Sequence, residues 1–464
     1  MTAHQGRRPG LFPAGGAIGE PFRHGKPRGR SLVRLVLCLV LLASAQGAAA
    51  ETLRLPDVLE KAIAHSYELQ LDALEIEIGR ARLAEARAAY FPTLTLRLTN
   101  EYLDDLRRDG TGTIAVGETI LSGSETTYQN SLSVYAGCLL HDFGGRDHRY
   151  RNAERDMRIA ELRQEQSLRD LKDKIVEVYG RNLVLCKQRT TWETILAQRN
   201  EIYRLSERLH DAGVADKVEL GTSAIAVAEA VQALAEYRLE FAEALQDLAF
   251  LTGEGYDEES VTVSDLPEAD CAAATVQVRD LPEIRAYGLK IDRKQAEYEI
   301  ARRQWLPSLH FYSSYRMYGR DSADPAEALQ GMRAQNATVG IVVDLNLFNG
   351  FGDLAELDRL RSQRRSLEVE RRKMIADKER EIAGLTIRTR IYERGTDDWF
   401  TLAREISEQE HMNQKLAGQQ VIDRIGFLRR QEEMLIKSLA QTVRQVQSVL
   451  ASLRLQYMAG EGVR

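Results

Sequence analysis

From Leu168 onward the apolar residues fall at Leu168, Leu171, Ile175, Val178, Leu185, Trp192, Ile195, Ile202, Leu205 and Leu209, in steps of three, four or seven. That spacing is the seam of a heptad repeat. No proline lies between Pro92 and Pro267, and Pro325 is the last in the chain, so backbone chemistry permits an unbroken helix from Arg146 to His210. At 1.5 Å per residue such a helix is about 100 Å long. A single domain cannot bury it, and it must find partners in a coiled coil. After a break at Asp211-Ala212-Gly213-Val214 the phase resumes with Val227, Val231, Leu234, Phe241, Leu245 and Leu248. The spacing predicts a long helical hairpin closing on itself.

The hairpin is the last part of a pattern written twice. In the first copy a helical stretch ends at Tyr90-Phe91-Pro92-Thr93-Leu94, an alternating segment ends at His141-Asp142-Phe143-Gly144-Gly145, and the long helix breaks at Gly213. The second copy reads Trp305-Leu306-Pro307-Ser308-Leu309, then Leu347-Phe348-Asn349-Gly350, then Leu416-Ala417-Gly418-Gln419. Its helices carry Leu360, Leu367, Met374 and Leu385 before the break, and Leu435, Leu439, Val446, Val449 and Leu453 after it. Pro92 and Pro307 are 215 apart; Phe143 and Phe348, like Gly213 and Gly418, are 205 apart. Matched this way, the copies have equal arms from strand exit to tip. The ten-residue difference falls in the segment between strand start and strand exit, and at the position matched this way only the second tip carries an acid, Asp423.

Four segments alternate as strands do. Leu94, Leu96 and Leu98 alternate with Thr93, Thr95, Arg97 and Thr99; Leu132, Val134, Ala136, Cys138 and Leu140 alternate with Ser131, Ser133, Tyr135 and Gly137. In the second copy Leu309, Phe311, Tyr315 and Met317 alternate with His310, Tyr312, Ser314 and Arg316, and Val339, Ile341, Val343 and Leu345 with Thr338, Gly340, Val342, Asp344 and Asn346. Each is about ten residues, the length of a tilted membrane-spanning strand with one apolar face. Four strands cannot close a barrel, and an open sheet edge is not tolerated in lipid. Closure needs several copies of the chain. The segments Asn100–Thr127 and Gly319–Asn336 are polar, as exposed loops are.

Residues 1–50 differ from the rest. Seven Lys/Arg precede an apolar run from about Leu35 to Ala43, followed by small residues ending at Ala50. That order predicts a secretory signal cleaved before Glu51; the competing reading, a membrane anchor, needs roughly 20 apolar residues. Cys38 lies inside the apolar run and is not placed as a lipoprotein acceptor. Without residues 1–50 the chain holds 56 Lys/Arg against 68 Asp/Glu, a net of −12, which argues against nucleic acid as a partner. Cys138, Cys186 and Cys271 are few and far apart, giving neither a disulfide framework nor a zinc spacing. The organisation expected is a signal over 1–50, a first repeat over 51–255 with strands within about 93–140, an acidic linker over 256–280, and a second repeat over 281–464 with strands within about 308–346.

These motifs resemble the TolC family of outer-membrane efflux proteins. The resemblance rests on the Pro-x-Leu strand starts at Pro92 and Pro307, and on the strand exits at Phe143-Gly144-Gly145 and Phe348-Asn349-Gly350. The tips at Gly213 and Gly418 and the hairpin end Leu251-Thr252-Gly253 add to it. It runs from about Glu51 to Met458. The family often has Pro before the strand-exit Leu-Phe, which this sequence lacks. The resemblance implies a mainly α fold with membrane β-barrel strands, in which coiled-coil hairpins form a periplasmic tunnel and four strands per protomer complete a trimeric twelve-stranded barrel. It implies a passive export duct without cofactors, located in the outer membrane of a Gram-negative bacterium and reaching into the periplasm. The partners implied are outer-membrane lipid, a periplasmic adaptor, and an inner-membrane pump or ABC exporter as in type I secretion.

The same resemblance puts adaptor contacts at the tips, at Gly213, Val214, Gly418 and Gln419, and a periplasmic gate at Asp423 and Arg424. Three copies of Asp423 around a narrow axis would favour cations; an ordinary polar turn residue is the competing reading. Asp344 is a candidate lumen charge, a rim position being equally compatible. His141, Asp142, Asp147 and His148 cluster at the first strand exit, where turn residues explain them better than a metal site. No catalytic triad, phosphate loop or nucleotide motif appears, so an enzyme is disfavoured. The rival from another class is a periplasmic helical-hairpin adaptor or scaffold, which would carry one hairpin and no membrane-length strands.

Overall fold

Two helices of 67 residues each run through the computed structural model, α3 over Gly145–Asp211 and α7 over Gly352–Gly418. Each is followed by a helix of 36 residues, α4 over Lys217–Thr252 and α8 over Arg424–Ala459. The structure describes residues 51–103, 114–116, 119–121, 127–266, 276–321, 324–420 and 422–459. The signal segment with Cys38, most of the first loop, and Pro267 and Cys271 of the linker lie outside the described residues.

The stretch before the first strand pair is two helices, α1 over Leu55–His65 and α2 over Tyr67–Ala88. The break falls at Ser66, whose hydroxyl accepts from Leu69 N at 3.3 Å and caps the second helix. In the second copy one helix, α5 over Pro282–Arg302, does the same work. The strand lengths exceed the expectation in the middle of the sheet: β2 spans Thr93–Leu103, β5 Thr127–His141, β7 Ser308–Asp321 and β8 Ala334–Asp344. They form one antiparallel sheet in the order β2-β5-β7-β8. The loops are not structureless. The first contains the hairpin of β3 (Ile114–Val116) and β4 (Thr119–Leu121), the second the short helix α6 over Pro325–Gln330. Asn130 of β5 donates to Pro325 O at 2.9 Å, folding α6 back onto the sheet.

Helix neighbours follow one order around α3. On the strand side α3 lies between α2 and α5, and on the tip side between α4 and α8; α7 packs against α5 and α8. One flank of the protomer is therefore β2, α2 and α4, and the other is β8 and α7. Midway, β1 (Glu51–Leu53) pairs with β6 (Val261–Val263). Here the seam residues converge: Ile175, Val176, Tyr179 and Leu183 of α3, Val58 and Ala62 of α1, Phe241, Leu245 and Leu248 of α4, and Leu453 of α8 are all fully or nearly fully buried. The Tyr179 hydroxyl donates to Ser264 O at 2.8 Å and also lies 3.0 Å from Leu53 O, holding both short strands to α3. Gly253 closes α4 with φ +74, and a Cβ there would stand 2.4 Å from the His65 ring, so both conformation and space demand glycine.

Two seam positions depart from the heptad reading. Leu209 lies in the last turn before the tip and is 36% exposed; Val231 is 52% exposed, with Ala230 buried in its place.

Candidate functional site

The sheet is built by register. Leu94 faces Ala136, which faces Ser313, which faces Val339; the next row is Leu96, Val134, Tyr315 and Ala337, then Leu98, Leu132, Met317 and Gln335. Alternation puts these rows on one face, where Leu94 and Val339 are 75% and 70% exposed. The opposite face carries Thr95, Tyr135, Ser314 and Thr338 in one row. An exposed apolar face and a polar face in register across four strands is the pattern of a barrel wall between lipid and water. Among the described residues β2 and β8 have one strand neighbour each, so both outer edges lack a partner there.

At the rim, Pro92 and Pro307 each stand immediately before a strand, where no backbone donor is needed. The strand exits correct the matching of the two copies. Phe143 and Gly144 have φ of 53° and 88°, and Gly350 and Phe351 have φ of 70° and 68°; the helices begin at Gly145 and Gly352. Phe143 thus matches Gly350, and the offset is 207, not 205. Asp142 Oδ2 accepts from Arg146 N at 2.5 Å, and Asn349 Oδ1 from Asp353 N at 3.4 Å, the same bond one offset apart. Phe348 falls one residue before this turn and packs edge-on against Phe351 at 5.4 Å, lining a groove of about 240 Å³ with Trp305 and Leu354. The segment from strand start to helix start then differs by eight residues between the copies.

Each member of the His/Asp cluster has a partner of its own. Asp142 pairs with Arg149 at 2.9 Å, Asp147 with Arg151 at 2.9 Å, and His141 packs edge-on against Phe143 at 4.5 Å between ring centres. His148 Nε2 lies 3.2 Å from Arg303 Nη1, which also donates to Phe143 O at 3.0 Å. Burial first, and the Arg303 charge second, push His148 below its ordinary value. Among the described residues no group of three or more His, Cys, Asp or Glu could hold a metal ion. Asp344 ends β8 on the polar face, 4.0 Å from His310, and lines a rim cleft of about 570 Å³ with Pro307 and Arg303.

The tips obey the same offset. Gly213 has φ 76° and its counterpart Gln420 has φ 57°. Gly418 is the last helical residue of α7 and Gln419 is its C-cap, donating to Lys415 O at 2.9 Å. In this register Val214-Ala215-Asp216-Lys217 aligns with Val421-Ile422-Asp423-Arg424. Asp216 Oδ1 accepts from Glu219 N at 2.7 Å and Asp423 Oδ1 from Gly426 N at 3.0 Å. Both aspartates are helix caps, so the expectation that only the second tip carries such an acid is overturned. The repeated Asp-Lys/Arg after a valine was the available signal; matching glycine to glycine concealed it. Arg424 binds Glu201 of α3 with both nitrogens, Nε at 2.9 Å and Nη2 at 3.2 Å, and stacks over Phe427. Arg199 of α3, missed in the sequence, bonds Glu432 of α8 at 2.7 Å and Ala226 O of α4 at 2.7 Å. It joins both hairpins.

Residues 58–254 match the family described as outer membrane efflux protein. No curated protein matches the sequence. The outer membrane protein VceC from Vibrio cholerae is similar in structure at 16% identity, over 88% of this chain and 97% of that one, with a TM-score of 0.71. The Campylobacter jejuni CmeC outer membrane channel is similar at 14% identity, over 88% and 86%, with a TM-score of 0.72. The open state of the Neisseria gonorrhoeae MtrE outer membrane channel gives 16%, 88%, 89% and 0.67. The second repeat, outside the matched segment, shares the same sheet and helix lengths, and two hairpins with membrane-length strands leave the adaptor reading without support. Residues 58–254 thus match the outer membrane efflux protein family, and the chain shares the fold of the VceC, CmeC and MtrE outer membrane channels over 88% of its length.

Proposed function

We propose that this protein is the outer-membrane channel-tunnel of a tripartite efflux pump or type I secretion system, a passive duct across the outer membrane and periplasm. The observation that carries the reading is the four-stranded sheet, apolar on one face and polar on the other, open at both edges and continuous with 67-residue helices. Three copies joined edge to edge would pair β8 of one with β2 of the next, and close twelve strands without an open edge in lipid. The same operation covers the flanks. α4 is long and apolar with little of its apolar stretch buried, and exposes Val218, Ile225 and Leu239; α7 exposes Ile387, Ile391 and Phe400. Each flank supplies the apolar partner that the other lacks.

In this reading the chain performs no chemistry and needs no cofactor. It is divided into repeats over 51–255 and 281–464, joined by the 256–280 linker and preceded by a signal over 1–50. The tips, with Gly213, Val214, Gly418 and Gln419, meet a periplasmic adaptor, which links the duct to an inner-membrane pump or ABC exporter. Asp423, with Asp216 at the equivalent turn, gives the periplasmic end its negative charge, and Arg424 holds the second hairpin against Glu201. Asp344 lies on the lumen side of the rim. The test is expression with the native leader, followed by membrane fractionation, heat-modifiable electrophoresis and planar-bilayer recording. Outer-membrane trimers with stepwise conductance are expected; a soluble periplasmic monomer would sink the proposal.

A further inference from the structure

We infer that the polar face of the sheet carries an anion-attracting belt made by Arg97 and Arg316, which favours solutes bearing carboxylate or phosphate groups in the outer-membrane part of the duct. The inference rests on the duct reading, because it needs that face to enclose water.

Strand register brings the two arginines together. Arg97 of β2 faces Ser133 of β5, Ser133 faces Arg316 of β7, and Arg316 faces Asn336 of β8. One row of the polar face thus holds two guanidiniums, a hydroxyl and an amide, and no acid. Both arginines are exposed, and among the described residues neither side chain has an ion-pair or hydrogen-bond partner; Arg97 contributes only its carbonyl, to the Ser133 hydroxyl at 3.4 Å. The nearest acid along β2 is Glu101, four residues on, or about 14 Å at 3.4 Å per residue. Asp344 lies at the other end of the sheet, beside His310.

Lipid cannot be the environment of this row. An arginine facing the bilayer midplane costs roughly 2–4 kcal/mol, and the opposite face already offers the leucines and valines. Water in a lumen solvates both groups without that cost. The sheet order then sets their distribution. In β2-β5-β7-β8, repeated edge to edge, an arginine stands on every second strand all the way round. Second-neighbour strands are about 9.6 Å apart, close to the Debye length of ~8 Å at physiological salt, so neighbouring fields overlap into a continuous positive band. Guanidinium forks also match carboxylate and phosphate oxygens in pairs.

Ser133, between the two arginines, is the place to measure the potential. A Ser133→Cys trimer, with the signal from native cysteines subtracted using the parent protein, is reacted in outer-membrane vesicles with a sulfonate-bearing and an ammonium-bearing methanethiosulfonate of similar size. The sulfonate reagent should react faster, relative to free cysteine, by roughly tenfold. The preference should collapse at about 1 M salt, where the Debye length is ~3 Å, and in the Arg97→Gln/Arg316→Gln background, while Arg97→Lys/Arg316→Lys retains it. Equal rates, or a preference that survives high salt, would overturn the belt even if the glutamine variant fails to assemble. An introduced thiol that reacts with neither reagent, or a protein that forms no outer-membrane trimer, would instead overturn the duct reading.

Discussion

The equator and the tips of this molecule are held by different forces. At the equator Tyr179, Phe241, Ile175, Leu183 and Leu248 are completely buried in a cluster drawn from several helices and both short strands. Near the tips the corresponding cluster is Ile202, Ile425 and Leu428, with Leu205 and Phe427 packed against it, and polar groups make up much of the remaining contact. Arg424–Glu201 and Arg199–Glu432 pair across it, and Gln198, Ser206 and Asn413 are buried with Oε1, Oγ and Oδ1 atoms that find no partner among the described residues. Apolar burial is lost as soon as surfaces part, whereas charged and amide groups exchange protein partners for water at small net cost. A coiled coil tight in the middle and polar at its end is one whose end can move while its middle stays fixed.

The largest effect that tests this contrast is a pair of truncations. Phe241→Ala should cost about 3–5 kcal/mol, and Leu428→Ala about 2 kcal/mol, because the small tip cluster can collapse around the gap. Thermal unfolding of the purified trimers checks both, and equal losses would erase the distinction. Next come the caps. Asp216→Ala and Asp423→Ala should each cost about 1 kcal/mol and should lower cation selectivity to a similar degree in bilayers. A selectivity change confined to Asp423→Ala would restore a functional difference between the copies. Glu201→Gln frees Arg424 for under about 1 kcal/mol, since both groups are largely exposed, yet should raise the open-channel conductance. An unchanged current would remove this pair from the gate.

The smallest effect lies at the rim, on the strand side. His148 is held below its ordinary value of 6.5, chiefly by burial. A depressed folded value means that the unfolded chain takes up the proton first, so the stabilisation is present above pH ~6.5 and is lost as pH falls through the folded value. Melting temperatures between about pH 7.5 and 5 should therefore fall more steeply for the wild type than for His148→Gln. Parallel curves would show that the imidazole contributes nothing there.

Much of this was legible in the chain. The heptad seam and the breaks that flank it predicted α3 to within a residue at each end, and the alternation at Leu94–Leu98 and Val339–Val343 identified both outer strands, because a period of about 3.5 or 2 is a local property that each segment carries alone. The matching of the copies was misread. Glycine spacing does not mark the equivalent turns, since Gly418 is helical and the left-handed position is Gln420. Residue type biases such a conformation without dictating it, since the surrounding bonds decide.

By itself, then, the sequence determined that there are two long helices per copy, four faced strands and a duplicated order, all consequences of periodicity and of where proline is absent. Tertiary structure alone decided that Arg199 joins both hairpins, that Tyr179 holds the equator, and that Arg97 and Arg316 share one row. Those three facts depend on contacts between residues far apart in the chain, and distance in space is set by register and packing, which no local period encodes.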